Sequence, residues 1–130
     1  MKLSRTCVYA IQATLLLVRS TSGAPIPCSQ LARKGKMPER FLLQILRTLV
    51  EHGLLNSTCG VAGGYYLSRS PRQISLFDIV EVFDISPKKT MPFLKHMSPT
   101  ARTRVAERLR AAAAATRAEL QKLSVADLVK

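Results

Sequence analysis

The order of segments in the first 67 residues restricts this chain more than any other feature. Apolar positions Leu3, Cys7, Ala10, Ile11, Thr14, Leu15 and Val18 recur at three and four, which predicts a helix over Ser4–Arg19. Leu16 and Leu17 widen its apolar surface, so it should face two neighbours. The run from Thr21 to Pro27 breaks it. A short helix at Cys28–Arg33 and a basic turn, Lys34-Gly35-Lys36, come next. Pro38 suits a first helical position, where its missing N–H costs nothing. The helix Pro38–His52 then turns Phe41, Leu42, Ile45, Leu46 and Leu49 inward, and Gly53 closes it in a left-handed conformation. Leu54–Ser57 and Tyr65–Leu67 read as two strands around the Gly-rich turn at 60–64. The expected architecture is mainly α with a small β-hairpin: a helix-turn-helix carrying a wing.

The remainder predicts a helix over Ile74–Phe83, a loop, and a long helix from Ser98, a cap residue followed by Pro99, to about Leu123. Its seam of Val105, Leu109, Ala112, Leu120 and Leu123 is narrow and coiled-coil-like. At about 1.5 Å per residue such a helix spans about 39 Å, more than a compact domain of this size needs, so the seam is expected to pair two copies. We divide the chain into a reading head (1–84), a loop (85–97) and a dimerisation helix with a terminal turn (98–130).

Charge narrows the partners. Twenty Lys and Arg against eight Asp and Glu give +12 over 130 residues, which calls for a polyanion. Within residues 1–72 ten Lys and Arg meet two acids, Glu39 and Glu51. The longest apolar stretch, Cys7–Val18, is too short for a membrane span, which needs roughly 20 residues, and it does not read as a signal peptide. Three cysteines with no paired spacing argue against a disulfide framework and for a cytoplasmic protein. Aromatics at 5 % and no Trp disfavour single-strand binding by stacking. No nucleotide loop, catalytic triad or metal cluster stands out, so no enzyme is expected. The Asp78, Glu81 and Asp84 carboxylates read as a solvated helix face.

Double-stranded DNA is therefore the expected partner. A helix fits the major groove, where Arg can pair with guanine and Gln with adenine. Arg40 and Gln44, four residues apart, share a face and are the base-reading candidates. Lys2, Ser29 and Arg47 are assigned to phosphates, and Phe41, Ser57, Cys59 and Gly60 complete the expected contact set in the helix and wing. The alternative is a basic interaction module that binds an acidic protein or an anionic surface.

The segments Met1–Ser4 with Tyr9-Ala10, Leu42–Leu46 with Leu49, Gly53–Leu55, and above all the wing Gly60-Val61-Ala62-Gly63-Gly64-Tyr65, resemble the Rrf-type winged-helix regulators, the group of IscR, NsrR and CymR. The resemblance extends over nearly the whole chain. It implies a bacterial transcription regulator, usually a repressor, that binds a palindromic operator as a homodimer crossed by its long helices. Cluster-binding members of that family carry three cysteines before the long helix. Here the loop from Asp84 to Ser98 has none, so no iron–sulfur cluster and no other cofactor is expected. Cys59 stands where relatives often have Arg, and Leu43 where one relative has an operator-discriminating acid.

Cys7 is expected to be core. Cys28, at a helix start, and Cys59, in a basic hairpin, sit where thiolate is favoured and are the candidates for redox sensing. A zinc site is not expected, because His52 and His96 are isolated. A small-molecule or protein effector is expected in the 84–98 loop or in the groove between head and long helix.

Overall fold

The computed structural model describes residues 2–20, 22–85 and 95–129. Five helices and one hairpin follow in the order α1 (Arg5–Arg19), α2 (Cys28–Gly35), α3 (Glu39–Glu51), β1 (Leu55–Thr58), β2 (Gly64–Leu67), α4 (Leu76–Phe83) and α5 (Pro99–Leu120). Short 3-10 turns lie at Pro71–Gln73 and Asp127–Val129.

The core forms where α1, α2, α3 and the base of the hairpin meet. Leu31, Leu42, Leu46, Leu49, Leu55, Ile74 and Ile79 are buried there. On α1 the buried line is Cys7, Ala10, Ala13, Thr14 and Leu17. That line is rotated from the expected stripe: Leu3 is exposed, and Ile11, Leu15 and Val18 only flank the core. Small Ala10 and Ala13 allow close helix approach, so the stripe's centre lies over them rather than over the larger residues. The Thr14 hydroxyl donates to the Ala10 carbonyl at 2.8 Å, which removes the cost of burying it. Phe41 also departs from the expected inward set. It sits at the rim, 37 % exposed, edge-on to Tyr9 with ring centroids 5.7 Å apart.

The basic turn is tighter than expected, because α2 runs on through Gly35. Lys36, a non-glycine residue at φ 53°, makes the left-handed turn. Gly53 is left-handed after α3, as its position predicts, at φ 78°. β1 and β2 pair antiparallel, Leu55 opposite Leu67 through Thr58 opposite Gly64. Ile26 adds a bridge to Tyr65 on the other edge of β2, with reciprocal N–H···O bonds of 2.9 Å. Gly64 is required there: at φ 153° a Cβ would come within 2.4 Å of the Ile26 backbone.

Several boundaries differ from the sequence expectation: α1 and α3 begin one residue later, with Ser4 and Pro38 in the cap positions, and the strands are Leu55–Thr58 and Gly64–Leu67. α4 starts at Leu76, not Ile74, because Ser75 and Asp78 form a reciprocal capping box. α5 stops at Leu120 rather than Leu123. The chain must leave the helix to meet the head: the Leu123 carbonyl accepts from Leu76 N at 2.8 Å, Ser124 bridges Ser75, and Val125 is fully buried. Ser98 caps α5 as expected, accepting from Ala101 N, with Pro99 next. None of the 22 residues of α5 is buried. Leu109 is 42 % exposed, Ala112 is exposed, and Val105, Leu120 and Leu123 are half-buried.

Candidate nucleic-acid interface

α3 separates its residues cleanly. Leu42, Ile45, Leu46 and Leu49 point into the core, which leaves Arg40, Gln44 and Arg47 exposed in one row at helical spacing. α2 precedes it and presents its N-terminus. Pro27, its cap residue, offers no side-chain acceptor, while Gln30 and Leu31 bond back to the Pro27 carbonyl. The N–H groups of Cys28 and Ser29 therefore point outward without a helical partner, and the Ser29 side chain is exposed. On the hairpin, Ser57, Cys59 and Gly60 are all exposed.

Lys2 is exposed just ahead of α1. A cleft of about 300 Å³ lined by Thr6, Phe41, Gln44, Ile45, Thr48 and Phe83 puts the start of α1 beside the outer face of α3. This cleft was not legible in the sequence, since α1 and α4 reach Gln44 only through tertiary packing. Ten exposed or partly exposed cations serve this head; of them Arg69 pairs with an acid, Asp78, at 3.2 Å.

The cysteines behave differently from one another. Burial, then the nearby Asp84 carboxylate, pushes Cys7 from an ordinary 9.0 up to about 12. Cys28 also moves up, through burial and the Glu39 charge, which reverses the expectation that its helix start favours thiolate. Its thiol contacts the Glu39 carbonyl at 3.6 Å. Cys59 is free and exposed.

Residues 3–130 match the Rrf2 family, described as "Iron-dependent Transcriptional regulator". The chain belongs to the Rrf2 family. A protein named as a helix-turn-helix transcriptional regulator in Synechocystis is 34 % identical over 86 residues, 66 % of this chain and 58 % of that protein. IscR of Cronobacter sakazakii is 27 % identical over 90 residues, 69 % of this chain and 56 % of IscR. The chain thus spans little more than half the length of these curated relatives. Among solved structures, T. potens IscR superposes with a TM-score of 0.71 at 26 % identity, covering 99 % of this chain and 86 % of that one. CymR of B. subtilis, titled the global cysteine regulator, gives 0.73 at 26 %, covering 99 % and 96 %. The fold is that of winged-helix regulators with a long C-terminal helix, as expected from the sequence.

The residues present do not fit an iron–sulfur cluster. Cys7 is sealed in the α1 core, Cys28 starts α2, and Cys59 is on the hairpin. No three His, Cys, Asp or Glu converge among the described residues, and the sequence from 86 to 94 supplies none of these types. No helix is long and apolar enough to cross a membrane, among the described residues.

Proposed function

We propose that this Rrf2-family chain is a sequence-specific regulator of transcription that binds double-stranded DNA as a homodimer and represses from a palindromic operator in the cytoplasm. One observation carries the reading: α3 presents Arg40, Gln44 and Arg47 in an exposed row, between the uncapped start of α2 and the hairpin. α3 enters the major groove. Arg40 takes guanine, Gln44 takes adenine, and Arg47 lies toward the backbone. Lys2, Ser29 and the outward N–H groups of α2 hold phosphates. Phe41 stacks its edge on Tyr9 and fixes the helix at its rim. Ser57, Cys59 and Gly60 run along the flanking backbone.

Residues 1–84 are the head, and 98–130 join two copies through Val105, Leu109 and Ala112; on an isolated chain Leu109 and Ala112 are exposed and Val105 is only half-buried, which favours a partner. Leu120 and Leu123 extend that seam to where α5 meets its own head. An effector was expected in the 84–98 loop or in the groove between head and long helix; of that loop, residues 86–94 lie outside the described residues.

Selection from genomic fragments with purified protein, followed by footprinting, tests the reading. A two-fold symmetric protected site with half-site centres about 34 Å apart, or a multiple of that, is expected. Binding to heparin or anionic vesicles with no protected DNA sequence would overturn it in favour of a general basic interaction module.

A further inference from the structure

A second cleft, of about 380 Å³, opens beyond the C-terminal end of α3. That volume falls in the range of small-molecule sites, roughly 300–1,000 Å³. Its wall is apolar on one part, from Leu54, Val82 and Ile85, and polar on the rest, from His52, Arg69, Asp78 and Glu81. Acids are scarce in this chain, yet two of them line this one recess.

The hydrogen bonds already made there define what is left to offer. His52 Nδ1 lies 2.9 Å from the Thr48 carbonyl, which can only accept, so Nδ1 carries a hydrogen and Nε2 is the ring nitrogen left over. Asp78 Oδ2 accepts from Ser75 N at 2.8 Å and from Arg69 Nη2 at 3.2 Å. Asp78 Oδ1 and the Glu81 carboxylate have no partner among the described residues. Arg69 Nε donates to the Gln73 carbonyl at 2.8 Å, and Nη1 has no partner among the described residues. Two acidic side chains, one imidazole and one guanidinium, each with polar atoms to spare, thus line one recess with an apolar wall.

We infer that this cleft binds a small zwitterion with one ammonium, one carboxylate and an apolar body, that is, a free amino acid with an apolar side chain. The ammonium has three N–H donors for Glu81, Asp78 Oδ1 and His52 Nε2. The carboxylate goes to Arg69 Nη1, and the side chain lies against Val82 and Ile85. A ligand held there spans three elements. His52 ends α3, Leu54 enters β1, and Arg69 follows β2 directly after Ser68, whose hydroxyl donates to the Gly53 carbonyl at 2.6 Å. Binding should therefore brace the base of the hairpin against the end of α3. The site stands on its own geometry; its role as an effector site rests on the DNA reading.

Calorimetric titration of the full-length protein with L-leucine, L-methionine and L-phenylalanine tests it, with isoamylamine and 4-methylpentanoate as single-charge probes. At least one amino acid should saturate, and each single-charge probe should bind about tenfold or more weakly, the loss of one charged hydrogen bond. Glu81→Gln, on an exposed position, should weaken the amino acid and isoamylamine together and leave 4-methylpentanoate unchanged. No saturable binding by any of the three amino acids overturns the site. So does isoamylamine binding as tightly as the amino acid, or binding indifferent to Glu81→Gln. The selected operator fragment is then titrated with and without the amino acid: a changed affinity supports the effector role, and an unchanged one overturns that role. Failure to select any operator would instead overturn the DNA reading while the calorimetric result stands.

Discussion

The Ser4 hydroxyl donates to Asp84 Oδ1 at 2.6 Å, and Ser4 N donates to Asp84 Oδ2 at 2.9 Å, across 80 residues of sequence. The same hydroxyl oxygen accepts from Cys7 N at 3.1 Å and so caps α1. One side chain thus starts α1 and fastens it to the end of α4. Ser4→Ala should lose the cap and the hydroxyl bond to Asp84 while keeping the backbone N–H bond, destabilising by about 1–2 kcal/mol in urea unfolding. Asp84→Asn should keep the helix cap but lose part of the fastening, with a smaller loss. Equal stability of Ser4→Ala and wild type would show that the contact contributes nothing.

Cys7 gives a pH prediction. Its thiol is held protonated in the folded state up to about 12 against an ordinary 9.0. The unfolded chain releases this proton first, so the folded state binds more protons between those values and loses stability as pH rises through them. Below pH 9.0 the contribution is fully present. Cys7→Ala should make the decline from pH 9 to 11 shallower than in wild type. A thiol reagent at pH 8 should modify Cys59 rapidly and leave Cys7 untouched until unfolding.

Readout separates by residue. Gln44→Ala should cost roughly 1–3 kcal/mol at one operator position and leave random DNA unaffected. Lys2→Ala should weaken operator and random DNA alike and lower the salt slope by about one. Equal losses on operator and random DNA for Gln44→Ala would remove it from the base-reading set.

Leu109→Asp should convert the dimer to monomer in sedimentation at micromolar concentration, because it puts a charge in the middle of the seam on α5. The head should stay folded, as Leu109 belongs to none of its core. A wild-type monomer under the same conditions would contradict pairing through this helix.

Much of the head was legible because its signals are local. Pro38 and Gly53 act within a turn and mark the two ends of α3, Pro38 in the cap position rather than the first helical one; beyond the head, the Ser98-Pro99 pair starts α5 in the same way. What escaped depends on partners remote in sequence. Val125 is buried because Ser124 bridges Ser75, and nothing within the last turn announces that. Phe41 matches the inward period of α3 but meets Tyr9 at the rim, since the angle between α1 and α3 decides which positions are covered. Cys28 fits the rule for reactive thiols at helix starts, yet burial, and then the charge of Glu39 eleven residues on, oppose it. The ligand cleft beside His52 draws on three elements and has no contiguous motif.

The bridge between Ile26 and Tyr65 has a metrical consequence. A hairpin joined to the head only at its base would swing, and the gap between its tip and α3 would vary. Here β2 is stitched on its far edge to the segment entering α2, at a spacing so close that residue 64 tolerates no side chain. Tip and helix are thereby set like the jaws of a caliper. On the proposed reading, in which α3 and the hairpin both touch DNA, a half-site that differs in the number of base pairs between the two footprints would have to deform, and DNA stiffness would become part of the discrimination.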